Sequence, residues 1–345
     1  MYVLYENSGQ SKHAGSKARR DIDILLEQYP HQAIWNYSLN NKDDLHDGNR
    51  LLYHVIKLLN GIKSYISLTN HMNGGVVFAQ YPDYSPRRLS NTVKRFFLKN
   101  KMIFLVHDID GWRSSSKSDE WKRILNHAEA LIVHNQKMLE RLRMEGVMHP
   151  YMVNLELFDY LTDAQISVKS FQKSVVFAGN LGKSQFLQSW MECVRNYDID
   201  LYGVGLKSRS SLPGRVRYHG GYAPEVLPCA IDGGFGLVWD GGSIDTCSGV
   251  MGGYMRWNNP HKLSLYIATG IPVIVWKESA VADLVAKYDI GYCISSLDEI
   301  NHIMDRIDDQ RYAELQDHLR PIQKKVLHGE FFKAAMNQVI QQIGI

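Results

Sequence analysis

The stretch NNPHKLSLYIATGIPVIVWKES, residues 258–279, decides the fold. Asn259 is a good helix N-cap, and Pro260 suits the first helical position, where its missing N–H would have no partner anyway. The helix runs to Gly270, a residue suited to a C-terminal cap, and the apolar run IPVIVW follows at once. A helix feeding directly into a fully apolar strand belongs to a parallel sheet covered by helices on both faces. Lys262 falls in the first turn, where a cation opposes the helix dipole at a cost of ~0.3–1 kcal/mol unless an anion binds beside it. Helix N–H groups, the dipole and an ammonium together make a diphosphate site. The plainer alternative is a surface lysine near a helix start.

Upstream lies DGGSIDTCSGVMGGYMRWNN, residues 240–259, with no periodicity and several glycines. A loop of roughly this length inside a compact domain is usually functional or mobile. Further upstream, SVVFAGNLGKSQF (174–186) reads as a buried strand that opens into Gly179-Asn180-Leu181-Gly182-Lys183-Ser184. The Gly-Lys-Ser triplet invites a P-loop reading, but that motif needs a glycine where Phe177 stands. A glycine turn at a strand's C-terminal end still lets backbone approach a phosphate, with Lys183 as counter-charge; a plain turn is the other reading.

The same grammar extends both ways. DIDLYGV (198–204), GFGLVWD (234–240) and GYCI (291–294) read as strands, as do YVLY, AIWNYSL, GVVFAQYP, MIFLVHD and ALIVHN in the first half. Helices are expected between them, such as 118–128 and 136–145, where Met138, Leu139 and Leu142 share a face. The chain of 345 residues suits two cores. We expect an α/β protein of two Rossmann-like domains: 1–165, 166–325, and a last helix, 326–345, returning to the first domain. Ligands of such folds bind at strand ends and between domains.

Composition narrows the function. A hydrophobic content of 45% with 22% charged residues is ordinary for a globular protein. A net charge of +3, with no dense basic tract, argues against nucleic acid as partner; contact with an anionic membrane surface is neither required nor barred. The N-terminus lacks a signal-peptide core and no stretch is apolar enough to span a bilayer. Cys193, Cys229, Cys247 and Cys293 form no C-x-x-C pair, so a zinc site or disulfide framework is not expected. A cytoplasmic protein, with the inner membrane face as a further place of action, is the expectation.

Three Asp-Ile-Asp triplets occur, at 21–23, 108–110 and 198–200. The first lies in an expected helix, where alternate residues point apart, and the third reads as turn chemistry before a strand. Only Asp108 and Asp110 follow an apolar strand into a loop, preceded by His107. These three are the candidate catalytic groups, able to deprotonate an acceptor hydroxyl. Metal ligation by Asp108 and Asp110 is a second reading. Tyr222, after Gly220-Gly221, is a candidate to stack on a nucleobase. The polar, glycine-containing segment 7–16 is a candidate lid, with His13, Ser16 and Lys17 as contacts or as solvated groups. His134 follows a strand and reads as structural.

These residues resemble a known family. GGFGLVWDGGSIDTCSGVMGGYMRWNNPHKLSLYIATGIPVIVW (233–276), with SKARRD (16–21), VHDID (106–110) and FAGNL (177–181), is similar to bacterial β-1,6-galactofuranosyltransferases and to glucosyltransferase 3 enzymes. The resemblance implies a GT-B fold, an acceptor bound mainly by the first domain and a UDP-sugar bound mainly by the second. It also implies a C-terminal helix, 331–343, returning to the first domain, and raises the prospect of a homo-oligomer. Lys183 and Lys262 match basic donor-phosphate positions, Tyr222 an aromatic near the nucleotide, and His107 with Asp108 a paired motif. The donor-binding set becomes Gly179, Asn180, Lys183, Tyr222, Asp240, Asn259, His261, Lys262 and Ser264. The TCSG…NNPHK pattern is nearer the galactofuranosyl members, while furanose and pyranose donors both stay open.

The expected activity is metal-independent, inverting transfer of a hexose from a UDP-sugar to a glycan on a lipid-linked oligosaccharide or glycoprotein, with no cofactor. Two other readings stand beside it. A UDP-sugar epimerase or hydrolase would act without an acceptor, and a non-catalytic partner of another transferase would bind without turnover.

Overall fold

The structure, a computed structural model, describes residues 1–6, 14–37, 50–83, 87–113, 119–206 and 212–345. The chain divides into two compact units: residues 1–11, 22–155 and 332–345 form the first, and residues 12–21 and 156–331 the second.

The first unit carries the order β1 (Tyr2–Glu6), the later part of α1 (Ala14–Leu26, whose residues up to Asp21 belong to the second unit), β2 (Gln32–Asn36), α2 (Arg50–Asn70), β3 (Val76–Tyr81), α3 (Ser90–Lys99), β4 (Lys101–Val106), α4 (Asp110–Arg113), α5 (Glu120–Asn126), β5 (Ala130–Val133), α6 (Gln136–Met144) and β6 (Met152–Asn154). All neighbouring strands are parallel, in the order β2-β1-β3-β4-β5-β6. β4 and β5 are apolar almost throughout, as suits a parallel sheet covered on both faces: Met102 through Val106 and all of β5 are buried, and Lys101 at the start of β4 is exposed. Helix α6 starts where Asn135 accepts a hydrogen bond from Met138 N at 2.9 Å, and it buries Met138, Leu139 and Leu142. Each such leucine contributes about 1.5–3 kcal/mol.

The second unit runs β7 (Ser174–Asn180), α7 (Leu187–Cys193), β8 (Asp198–Val204), β9 (Val216–Gly220), α8 (Leu227–Ala230), β10 (Phe235–Val238), α9 (Gly249–Tyr254), α10 (His261–Thr269), β11 (Val273–Trp276), α11 (Ala282–Tyr288), β12 (Gly291–Ile294), α12 (Glu299–Arg306) and α13 (Asp309–Leu327). Its sheet is again fully parallel, in the order β12-β11-β10-β7-β8-β9. Helix α10 is buried on every side from Leu263 to Thr269, which explains its lack of an amphipathic pattern. It ends at Gly270, whose φ of 83° closes the helix in the left-handed region. The last helix, α14 (Glu330–Ile343), joins the first unit from Phe332 onward. Phe332 is fully buried, edge-on to Phe78 at 5.8 Å.

Several expectations need correction. The division falls after Leu155 rather than near 165, because Ser264 Oγ donates to Phe158 O at 2.6 Å and Tyr160 N donates to Val326 O at 3.1 Å. The helical return begins at Phe332, not 326. The triplet at 198–200 does not precede a strand but opens β8. The segment 240–259 contains the short helix α9. Asn259 does not cap α10; Pro260 occupies that position and the helix proper starts at His261.

Candidate functional site

In the second unit the C-terminal ends of β7, β8 and β10 converge with the start of α10. The Lys262 ammonium lies 5.1 Å from the centroid of the Phe177 ring. It also passes directly over Gly179, where a Cβ would stand 2.9 Å from Lys262 Cε. Gly179 has φ +154°, so both its backbone and its neighbour exclude a side chain. Among the described residues Lys262 Nζ makes no hydrogen bond or ion pair. Burial holds its pKa below the ordinary lysine value, against the opposing pull of the Asp240 carboxylate. A cation partly out of water with no partner is a standing cost unless a ligand supplies the anion.

Lys262 lines a concavity together with Trp239, Asp240, Met251, Tyr254 and Asn258. The side-chain oxygen of Asn258 is buried there without a hydrogen-bond partner, while Asp240 accepts from Gly241 N at 2.7 Å. Among the described residues the concavity thus offers a cation without a hydrogen bond and an amide oxygen without one. That combination fits an anionic, hydroxylated ligand.

The remaining candidates from the helix start point elsewhere. Asn259 is buried and donates to Glu156 O at 2.9 Å, and Ser264 is committed to Phe158 O. His261 stacks on Tyr160, with ring centroids 5.0 Å apart and planes 23° apart. Its Nε2 is buried without a partner. Burial, with the nearby Lys17 ammonium, lowers its pKa to about 3, against a backbone hydrogen bond to Asp159, so the ring is neutral. These three side chains bond or stack with the segment 156–160 and do not line the concavity. Asn258, rather than Asn259, is the asparagine of the NNP sequence that lines the concavity, and the burial of its side-chain oxygen without a hydrogen bond is visible only in three dimensions.

Asn180 and Lys183 form the turn after β7, where Asn180 Oδ1 accepts from Lys183 N at 3.2 Å and the Lys183 side chain is exposed. Tyr222 follows β9 and is 40% exposed, tilted against Tyr202 at 5.9 Å. Strand pairing sets Asn180 beside Val204, so the ends of β7 and β8 and the turn after β9 share one edge of the sheet.

Asp200 is no turn residue. It is buried in β8, held by two 2.8 Å hydrogen bonds from Arg217 and one of 2.7 Å with His219. Burial pushes its carboxyl up, but Arg217 and His219 outweigh it and hold the group below the usual range.

The proposed lid residues are also reassigned. Ser16 and Lys17 sit in helix α1, and His13 lies outside the described residues. Lys17 is buried, not solvated: it pairs with Asp21, donates to Leu161 O at 2.6 Å and lies 4.7 Å from the Tyr160 ring centroid. Burial raises the Asp21 carboxyl to about 6 despite Lys17, and lowers the Lys17 ammonium. The first Asp-Ile-Asp triplet is therefore half spent on a helix-internal ion pair.

In the first unit, His107, Asp108 and Asp110 follow β4. His107 is buried, and its Nε2 is 2.7 Å from Gln80 Oε1. Gln80 Nε2 donates in turn to Asp23 Oδ1 at 2.7 Å. A carboxylate only accepts, so Asp23 fixes the amide orientation, and the amide oxygen then fixes the proton on His107 Nε2. This Asp23–Gln80–His107 relay was not anticipated; the residues are far apart in sequence. The Asp108 carboxylate pairs with Arg113, while Asp110 is exposed at the start of α4. His134, at the end of β5, is buried and neutral, its pKa lowered to about 4 by burial.

Two parallel, doubly wound six-stranded units with a basic helix start at the strand ends define a GT-B glycosyltransferase fold. Sucrose-phosphate synthase from Thermosynechococcus elongatus has the same fold, with a TM-score of 0.64 at 12% identity over 99% of each chain. The glucosyltransferase 3-like N-terminal domain matches residues 1–157 and the C-terminal domain residues 175–339, and the chain belongs to this family. It is 28% identical to the β-1,6-galactofuranosyltransferase WbbI of Escherichia coli (strain K12) over 350 residues, covering 99% of both. It is 24% identical to glucosyltransferase 3 of Streptococcus gordonii over 346 residues, 99% of this chain and 97% of that one.

Proposed function

We propose that this glycosyltransferase moves one hexosyl unit, galactofuranose or glucose, from a UDP-sugar to a hydroxyl of a glycan acceptor, with inversion and without a metal ion. The observation that carries the reading is the unpaired Lys262 ammonium at the start of α10, beside Gly179 and the orphaned Asn258 amide. As the bond to the anomeric carbon breaks, negative charge grows on the departing diphosphate. Lys262 and the helix dipole meet that charge, and fixed charge in a partly dry site stabilises it more than water would. On this reading Asn258 takes a sugar or ribose hydroxyl, Tyr222 stacks on the uracil face, and Lys183 meets the outer phosphate.

On the acceptor side, Asp108 or Asp110 takes the proton of the attacking hydroxyl, with His107 held in one tautomer beside them by Gln80. The higher identity to the galactofuranosyl relative supports galactofuranose as donor sugar. A bacterial surface glycan, on a lipid carrier or a glycoprotein, is the acceptor class this reading implies, with the donor drawn from the cytoplasm.

The test is UDP release from a panel of UDP-hexoses, with and without glucoside and N-acetylglucosaminide acceptors. Release from one donor that depends on acceptor supports transfer and names the sugar. UDP binding without release from any donor would move the chain to a non-catalytic partner, and acceptor-independent release to a hydrolase.

A further inference from the structure

Tyr160 lies in the irregular segment that follows Glu156 in the second unit, and it is buried. Two parts of the proposed donor site meet on it. Its hydroxyl donates to Pro224 O at 2.6 Å, two residues beyond Tyr222. Its ring stacks on His261, the first residue of α10 and the neighbour of Lys262, with centroids 5.0 Å apart. One side chain thus touches the loop that carries the aromatic candidate and the helix start that carries the cation.

Tyr160 is itself held from other directions. Its N–H donates to Val326 O at 3.1 Å, near the end of α13. The Lys17 ammonium lies 4.7 Å from its ring centroid and donates to the next carbonyl, Leu161 O, at 2.6 Å. Lys17 pairs with one oxygen of Asp21, and the other accepts from Leu161 N at 3.1 Å. These bonds fix the backbone on both sides of the ring. Burial, followed by the Asp21 and Glu225 carboxylates, raises the Tyr160 pKa above the ordinary phenol value, so the hydroxyl stays a donor.

The loop that Tyr160 reaches, residues 221–226 between β9 and α8, forms no helix or strand of its own. Among the described residues, three side chains from elsewhere in the unit hydrogen-bond to it. Besides Tyr160, Thr162 Oγ1 donates to Glu225 O at 2.9 Å, and Arg20 bonds the Glu225 carboxylate at 2.6 Å. These two contacts lie toward solvent, where water competes with the bond and screens the charges. The Tyr160 bond is buried, and a carbonyl that lost it there would have no water to replace it. Of the three ties it is the one that most restricts the loop.

We propose that Tyr160 is a positioning residue of the donor site, setting the spacing between Tyr222 and Lys262 so that base and diphosphate of one nucleotide are met together. Both ends of the phenol are used: the ring braces the helix start through His261, and the hydroxyl braces the loop through Pro224. The inference rests on the reading of this site as a UDP-sugar site and adds the residue that joins its two halves.

Tyr160→Phe removes the bond to Pro224 and keeps the ring against His261. In the ligand-free full-length variant, amides of residues 221–227 should exchange hydrogen ~5-fold faster or more, while those of α10 keep their wild-type rates. By isothermal titration the variant should bind UDP and uridine ~5–10-fold more weakly, with pyrophosphate affinity unchanged. Tyr222→Ala should also weaken UDP, and adding Tyr160→Phe to it should cost nothing further, because the hydroxyl acts through the loop that carries that ring. Tyr160→Leu, which removes the stack as well, should lose pyrophosphate affinity too. Unchanged exchange in 221–227 overturns the proposal. So does an equal loss of uridine and pyrophosphate affinity in Tyr160→Phe, or a double variant whose losses add. A wild-type protein that binds no UDP, while the variant still shows the faster exchange, would instead overturn the donor-site reading on which the inference rests.

Discussion

Lys262 and Gly179 are matched: the lysine side chain occupies the space where any other residue at 179 would carry a Cβ, 2.9 Å from Lys262 Cε. The pairing places a cation in a poorly solvated position with no protein anion bonded to it. Groups kept at a cost to stability are commonly functional. Lys262→Ala should therefore weaken UDP binding by ~10–100-fold, the value of a charge-assisted hydrogen bond, while leaving Tm unchanged or higher. Isothermal titration with UDP and a thermal melt on the same sample check both halves. Unchanged UDP affinity would remove Lys262 from the site, and a large drop in Tm would make it structural.

Gly179→Ala tests the same relationship from the other side. It adds a methyl group where the backbone has φ +154° and where the lysine already lies. Backbone strain of about 1–3 kcal/mol should lower Tm, and the displaced ammonium should lower UDP affinity as well. A variant that bound UDP normally would mean that Lys262 can reach the diphosphate by another path.

The two asparagines of the NNP sequence should separate cleanly. Asn259→Ala removes a buried hydrogen bond to Glu156 O, a residue itself held at φ 66°, and should cost about 1 kcal/mol or more of stability. Asn258→Ala removes an amide whose oxygen has no partner, so Tm should hold while the KM for the donor rises. Reversed phenotypes would restore Asn259 to the site.

How far the sequence was legible follows from these same residues. Strand β7 (SVVFAGN) occupies the residues its apolar run indicated, because a buried parallel strand leaves little choice of composition, and strand β12 (GYCI) matches its run although it is a partly exposed edge strand. Gly270 also ends α10 as its position suggested. The three-residue strand β6 and the six-residue helix α9 carry too few positions for a period to show. Among site residues, Lys262 was legible because a lysine in a helix's first turn defies the dipole. Asn259 and Asn258 could not be told apart, since a capping asparagine and a buried one look alike in one dimension. Lys17 looked solvated because its partners, Tyr160 and Leu161, come from a distant segment. Gln80 and Asp23 were missed for the same reason.

Acid should destabilise the fold through its buried imidazoles. His261 and His134 have folded-state pKa values near 3 and 4, against an ordinary value of 6.5. The unfolded chain thus binds more protons than the folded one, and stability is lost as pH falls from about 6.5 toward 4. Asp21 works the other way, because its raised carboxyl takes up a proton earlier in the folded state than in the unfolded one. Two histidines outweigh one carboxyl, so Tm should fall across this window. His261→Phe keeps the ring against Tyr160 and removes one titrating group, so its Tm profile should be flatter. A wild-type Tm that is constant or rises between pH 6.5 and 4 would contradict the neutral burial of these rings.

Asp108→Asn asks which carboxylate is the base. Asparagine keeps an oxygen that can accept from Arg113 but loses the charge needed to take the acceptor proton. If Asp108 is the base, kcat should fall by about 10²–10⁴-fold with UDP affinity intact, and Asp110→Asn should have a smaller effect. An equal loss of kcat and UDP affinity would make Asp108 structural, and a larger effect at Asp110 would exchange the two roles. The same preparations treated with EDTA should keep their activity, since Lys262 and the start of α10 are proposed to carry the diphosphate charge. Activity lost to EDTA and restored by Mn²⁺ would instead assign Asp108 and Asp110 to a cation, and Asp108→Asn would then weaken donor binding in a metal-dependent way.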